Sequence, residues 1–324
     1  GQEVRQMIRL PPVPVITGCT ATGKTALALA LARDYPIEVI SADSRQVYRY
    51  MDIGTAKPGR AETAALPHHL IDIADPDGCF SAGSFAREAA RLILEISARG
   101  AVPVIVGGTG LYIRALTGPF DDLPPAHPAL RTVLSACEAS SAGFLRRFLA
   151  RLDPVSSKTI GAGDAVRTLR ALEITILSGR RASVLRTGAG RRSGFTFRIA
   201  RIEIPGAALR ARISLRVNRM MEDGLEAEVG RLLAMGYGRG CAPGRTIGYR
   251  EVLDSIDAGR SSEETTTAIV NGTWRFSRRQ RNMLGRLPAD LVSDGGDPAS
   301  LGPALFEGWD RSFADGGTGS AEGS

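Results

Sequence analysis

The sequence predicts an α/β fold built on a parallel sheet, and three observations carry that prediction. Short apolar runs alternate with stretches of helical period, the pattern of strand–helix–strand units. The first run empties into Gly18-Cys19-Thr20-Ala21-Thr22-Gly23-Lys24-Thr25, a complete G-x-x-x-x-G-K-[ST] motif. Two more polar or Gly-rich segments, 43–46 and 107–110, also follow apolar runs, and ligands of open parallel sheets collect at such strand ends.

The elements read in order as follows. Residues 1–12 form a loose start. Val13 to Thr17 is a β-prone run despite Pro14, and residues 25–35, rich in Ala and Leu, read as a helix ended near Tyr35-Pro36. Ile37 to Ser41 is a second buried strand, with Asp43 just past its end. Residues 85–99 form an amphipathic helix with Ser84 as its expected cap, Phe85, Ala89, Leu92 and Ile96 on one face, and Gly100 as its stop. Ala101 to Val106 is a third strand, and Thr117 to Pro128 a break rich in Pro and Asp. Residues 129–180 read as helices with Arg-rich faces, 181–194 as a Gly/Arg/Ser loop, and 195–204 as a strand. Residues 207–235 and 262–286 read as helices, and the acidic stretch 289–324 as a flexible tail.

Composition narrows the class. The 324 residues give room for a catalytic core and an accessory domain. A composition of 43% hydrophobic and 23% charged residues is that of a globular chain. No apolar run approaches the ~18 residues of a membrane helix, so no membrane partner is expected. The absence of a leader pattern and of any C-x-x-C pair among Cys19, Cys79, Cys137 and Cys241 points to a reducing cytoplasm. The net charge of +7 is unevenly placed: residues 121–288 hold 28 basic and 16 acidic residues, whereas residues 289–324 hold one and seven. One segment is therefore suited to a polyanion.

The motifs specify phosphate chemistry. The glycines of 18–25 let backbone amides wrap a phosphate at a helix N-terminus, Lys24 supplies a point charge, and the Thr25 hydroxyl can ligate Mg²⁺. Asp43 has three open roles: holding Mg²⁺ through water, accepting a proton from a nucleophile, or capping a helix ahead of Ser44. Thr109, in Gly107-Gly108-Thr109-Gly110, either donates to a reactant or is a solvated turn residue. The adjacent pair His68-His69 has no metal-ligand spacing and reads as structural or as support behind a site. The arginine runs at 146–151, 167–170 and 275–281 are solvated helix faces or phosphate contacts. These motifs leave open a small-molecule kinase, an enzyme acting on nucleic acid, and a non-catalytic RNA-binding protein.

Longer segments resemble a known family. Ile40-Ser41-Ala42-Asp43-Ser44-Arg45-Gln46-Val47-Tyr48-Arg49, Met51-Asp52-Ile53-Gly54-Thr55-Ala56-Lys57-Pro58, Pro67-His68-His69-Leu70-Ile71-Asp72-Ile73, Val106-Gly107-Gly108-Thr109-Gly110-Leu111-Tyr112 and Ile247-Gly248-Tyr249-Arg250 resemble the tRNA dimethylallyltransferases, also called tRNA isopentenyltransferases. The resemblance runs from about Val15 to Leu287. It implies a P-loop NTPase-like core over 1–118 and 195–288 with a helical tRNA-binding insertion at 119–194. It implies transfer of a dimethylallyl group from dimethylallyl diphosphate to N6 of the adenosine 3′ of the anticodon, releasing pyrophosphate; Mg²⁺ is the expected cofactor and a monomer the expected state. In that family the P-loop grips the donor's diphosphate rather than ATP. Carried over, Asp43 is the general base, Thr109 lies beside the reacting centre, and Arg216 joins residues 18–25 on the diphosphate. Asp43, Ser44, Arg45, Gln46, Arg131, Val166, Arg167, Thr168, Leu169 and Arg170 are the implied tRNA contacts.

The chain departs from the family pattern in three places. Cys19 replaces a usual Pro, and its side chain is expected to point away from the phosphates. The segment Gly161-Ala162-Gly163-Asp164-Ala165-Val166-Arg167 replaces His-Pro-Asn-Asp-Pro-Gln-Arg. Near the C-terminus, Arg278-Arg279-Gln280-Arg281-Asn282-Met283 stands where Lys-Arg-Gln-x-Thr-Trp is usual. No Cys/His pairs follow residue 288, which fits a bacterial-type relative.

Overall fold

The computed structural model describes residues 10–119, 121, 123–186, 190, 193–295 and 297–309. The chain divides into two compact units, one of Gly1–Thr117 with Gly194–Ser324 and one of Gly118–Ser193.

The larger unit holds β1 (Val13–Gly18), β2 (Ile37–Ser41), β3 (His68–His69), β4 (Val102–Gly107), β5 (Phe197–Ile202) and β6 (Leu291–Ser293). They form one sheet in the order β3-β2-β4-β1-β5-β6, and every pairing is parallel. β1 and β4 are buried at every position, as strands covered on both faces must be. The α/β expectation therefore holds. Helices α1 (Lys24–Leu31), α2 (Arg60–Ala65), α3 (Ala82–Ala98) and α4 (Gly110–Thr117) follow in the first half of this unit. Phe85, Ala89, Leu92, Ile93 and Ile96 of α3 all face the sheet core. Its cap is Ser81, whose hydroxyl accepts from the Ser84 amide, so the helix starts a turn earlier than the sequence suggested. His69 Nε2 lies 2.7 Å from Glu38 Oε2, which Arg99 also holds, an edge-strand network.

The smaller unit contains α5 (Pro128–Ser140), α6 (Phe144–Leu152), α7 (Pro154–Thr159), α8 (Ala165–Ser178) and α9 (Ala182–Leu185). Leu134, Leu145, Leu149, Ile160, Ala171, Leu172, Ile174 and Ala182 make its core. The short α9 falls inside the stretch expected to be a loop, while residues 187–189, 191 and 192 lie outside the described residues.

After β5 the larger unit continues with α10 (Gly206–Glu222), α11 (Leu225–Ala234), α12 (Tyr249–Ala258), α13 (Ser262–Leu284) and α14 (Pro298–Leu305). The single helix expected over 207–235 is two, because Gly224 takes φ 95°, a left-handed turn that ends one helix and starts the next. Helices α10 to α13 share a second core with Cys19, Val47, Tyr48 and Met51. The flexible tail expected from 289 is corrected. β6 pairs with β5, and Leu301, Leu305, Phe306 and Trp309 enter the sheet core. Phe306 stacks on Tyr35 at 4.2 Å between centroids, and the Trp309 indole donates to the Pro12 carbonyl. Composition averaged over the segment hid these four apolar anchors. Residues 310–324 of that tail, and residues 1–9 of the expected loose start, lie outside the described residues. No helix among the described residues is long and apolar enough to cross a membrane.

Candidate active site

Because β4 lies between β2 and β1, the three motif segments leave the sheet side by side. The turn after β4 is drawn tightly onto the end of β2. A Cβ on Gly107 would lie 2.2 Å from the Ala42 carbonyl oxygen, so only glycine fits. Thr17 Oγ1 donates to the Gly107 carbonyl and the Thr109 amide to the Ala42 carbonyl.

The phosphate loop turns into α1 at Gly23, whose φ of 93° favours glycine. Lys24 Nζ donates to the Cys19 carbonyl at 2.8 Å. Burial pushes its pKa down to about 8, against the favourable field of Asp43, while Arg216 adds repulsion. Lys24, Asp43 and Arg216 therefore share one electrostatic environment. Burial likewise lowers the Arg216 pKa, opposed by Asp43, and its Nη2 donates weakly to the Thr55 carbonyl at 3.4 Å. A cluster of cations with so little compensating negative charge is a receptive place for a polyanionic ligand. Thr25 sits in the first turn of α1 and makes no side-chain hydrogen bond among the described residues. Cys19 is buried among the apolar side chains of the second core, and burial pushes its thiol pKa up.

Asp43 is half engaged. Its Oδ1 accepts from the amides of Arg45 (2.8 Å) and Gln46 (3.4 Å), a turn cap that fixes the carboxylate's direction. Its Oδ2 has no hydrogen-bond partner among the described residues. Capping and proton acceptance are thus compatible, one on each oxygen. Thr109 Oγ1 accepts from the Ser44 amide at 3.0 Å, so the threonine joins the Asp43 turn to the β4 turn. Arg45 makes no side-chain hydrogen bond among the described residues. The Gln46 side chain is occupied: it accepts from Ser41 Oγ and donates to the Thr55 and Ala56 carbonyls.

Three supporting residues escaped sequence reasoning. Glu228 accepts from the amides of Ile53 and Gly54 and from the Tyr249 hydroxyl, holding the 52–54 turn. Its signal was a lone glutamate on an apolar helix face. Arg212 lies one turn before Arg216; a Cβ on Gly23 would sit 3.9 Å from its Nη1. The i, i+4 spacing of the two arginines was readable. Gln280 accepts from the Thr20 amide and donates to the Gly108 carbonyl, a link that only the fold reveals. A cavity of about 740 Å³ elsewhere in this unit is lined by Glu203, Arg281, Ser293 and Asp294 and by none of the predicted site residues.

In the smaller unit, the implied tRNA contacts fall into three groups. Val166 is 79% exposed, and among the described residues Arg167 has an ion pair only with Asp164, the cap of its own helix. Thr168 is buried, and Leu169 is partly buried against the core. Arg131 and Arg170 both pair with Glu173, which is fully buried. Burial opposes the Glu173 charge, but bonds from Arg131, the His127 amide and Arg170 outweigh it and hold the carboxyl down at about 2.

A parallel sheet with a G-x-x-x-x-G-K-[ST] loop after its central strand β1, and the Asp43 turn after β2, defines a P-loop α/β protein. Comparison with known proteins narrows the class. The IPP transferase family model matches residues 46–286. The chain is 46% identical over 286 residues to tRNA dimethylallyltransferase 1 of Syntrophotalea carbinolica, covering 88% of this chain and 91% of that protein. It is 45% identical over 295 residues to the tRNA dimethylallyltransferase of Cupriavidus necator, with the same coverage. The full-length tRNA isopentenylpyrophosphate transferase of Bacillus halodurans aligns with a TM-score of 0.66 at 32% identity, covering 94% of this chain and 99% of that one. The chain belongs to the IPP transferase family.

Proposed function

We propose that the chain is a tRNA dimethylallyltransferase, moving the five-carbon group of dimethylallyl diphosphate onto N6 of the adenosine 3′ of the anticodon. The observation that carries the reading is a diphosphate-type loop and Asp43 past the ends of inner strands, with Arg216 in the same electrostatic field, in a member of this family. In this reading, residues 18–25 and Arg216 hold the diphosphate, and the half-free Asp43 faces the amine. The amine nitrogen bonds to the allylic carbon, the carbon–oxygen bond to diphosphate breaks, and Asp43 Oδ2 takes the amine proton. An exocyclic amine is a weak nucleophile, and such proton removal is worth ~10²–10⁴-fold. Charge gathers on departing pyrophosphate, where Lys24, Arg216 and loop amides stabilise it.

A divalent cation fits this donor set. Thr25 offers a hydroxyl beside Lys24, and no group of three or more His, Cys, Asp or Glu able to hold a metal occurs among the described residues. Mg²⁺ would be held by Thr25 and the diphosphate itself, neutralising leaving-group charge. The residues from 118 to 193, with 12 basic and six acidic side chains, supply phosphate contacts to the anticodon stem-loop. The target base leaves its stack to meet the donor. We further propose that the enzyme acts in the cytoplasm as a monomer.

The test is direct. Labelled dimethylallyl diphosphate, Mg²⁺ and unmodified tRNA should yield label on one anticodon-loop adenosine. ATP turnover on a small acceptor without transfer to tRNA would point to a kinase. Binding of tRNA without either reaction, unaffected by Lys24→Ala, would point to a pure RNA-binding protein.

A further inference from the structure

We propose that Gln280 is a positioning residue that sets the spacing between the phosphate loop and the Thr109 turn, and so the alignment of donor and nucleophile. The inference rests on the transfer reading above. β1 and β4 are paired through Thr17 and Gly107, and there their register ends. Beyond that point the two loops must be held by something other than the ladder. Gln280, near the C-terminal end of α13, does so with both ends of one amide. Its Oε1 accepts from the Thr20 amide at 3.0 Å, and its Nε2 donates to the Gly108 carbonyl at 2.9 Å.

Three features make this more than a surface contact. Gln280 is only 8% exposed, so water does not compete for its bonds. Its partners lie 260 and 172 residues away in sequence, one in the loop after β1 and the other in the turn after β4. Gly108 also keeps room for it: a Cβ there would lie 2.8 Å from Gln280 Nε2 and 3.0 Å from the Gly18 carbonyl oxygen. Gln280 touches neither reactant in this account. It acts through Thr20, in the loop assigned to the leaving diphosphate, and through Gly108, adjacent to Thr109. Asn is one carbon too short to span both partners. Glu keeps the reach and the acceptor for Thr20 but loses the donor to Gly108.

Transfer kinetics of Gln280→Asn, Gln280→Glu and wild type test the assignment. Misplacement of reactants by ~1 Å costs ~10²-fold in rate. Gln280→Asn should therefore lose ~10- to 10²-fold in kcat, with KM for dimethylallyl diphosphate and for tRNA within about threefold. Gln280→Glu should fall between. Hydrogen exchange at the Thr20 amide should quicken in Gln280→Asn while the amides of β1 stay protected, a readout independent of turnover. Unchanged kcat and unchanged Thr20 exchange overturn the proposal. So does a loss of activity in both variants that tracks a loss of melting temperature, since the residue would then serve stability alone. If wild type itself transfers nothing to tRNA, the functional reading fails, and the exchange result still decides whether Gln280 holds the loop.

Discussion

At the scale of single residues, the site turns on how Asp43 and Lys24 are held. Asp43 spends one oxygen on the amides of Arg45 and Gln46 and keeps the other open. Asp43→Asn keeps the capping oxygen but removes the proton acceptor. It should slow transfer by ~10²-fold or more while tRNA affinity stays near wild type. A rate within threefold of wild type, measured by single turnover, would leave Asp43 with the cap alone. Lys24 carries a pKa pushed down to about 8, with burial the largest cause. The sign follows: the charged form binds diphosphate, so protonation below that value favours the donor, and deprotonation above it weakens capture. kcat/KM for dimethylallyl diphosphate should therefore fall as pH rises through about 8, while kcat at saturation falls less, because bound diphosphate re-stabilises the charge. A profile flat to pH ~10, near the ordinary lysine value, would contradict the depressed pKa.

At the scale of elements, the smaller unit is organised around buried carboxylates. Glu173 on α8 gathers Arg131, Arg170 and the His127 amide, and so ties α5 to α8. Asp153 caps α7 and binds the amide and hydroxyl of both Ser156 and Ser183; these bonds overcome burial and hold it at about 2. Both carboxyls are depressed in the folded state. Their stabilisation is full above the unfolded values of ~4 and is lost as pH falls toward about 2. Hydrogen exchange in α5, α7 and α8 should accelerate over that window. Glu173→Gln should cost this unit about 2 kcal/mol at neutral pH, less than a fully enclosed ion pair because both arginines reach solvent; urea unfolding followed by exchange in α8 measures it. The sequence displayed the helices of 129–180, because their pattern is local. It could not display Glu173 as the keeper of Arg131, since their meeting depends on how two helices cross. The same distinction holds in the larger unit. The strands and the phosphate loop were legible from apolar runs and glycine spacing, while Ser81 instead of Ser84 as cap, the break at Gly224 and the docked Leu301–Trp309 segment depended on packing. The site followed suit: Asp43 and Lys24 stood in motifs, whereas Glu228 and Gln280 acquired roles only when distant segments met.

At the scale of the whole molecule, charge is segregated along the chain in a way that bears on tRNA binding. Residues 118–193 hold 12 of the 41 basic side chains and six of the 34 acidic ones, with Arg167 and other helix arginines exposed. Some of that charge is already committed: Arg131 and Arg170 serve Glu173, so they offer phosphate only the part of each guanidinium that faces water. The electrostatic contribution to docking should then come from the uncommitted arginines, and each phosphate they neutralise releases counterions. If about four phosphates are contacted, affinity for tRNA should drop ~10²-fold between ~50 and ~200 mM salt. Reversing one exposed charge, Arg167→Glu, should flatten that slope by about one ion without altering KM for dimethylallyl diphosphate, whereas Glu173→Gln should leave the slope nearly unchanged while loosening the fold. Filter binding across a salt series, run on both variants, separates an arginine that meets RNA from one that holds the unit together. A slope unmoved by Arg167→Glu would shift the docking surface away from the first turn of α8.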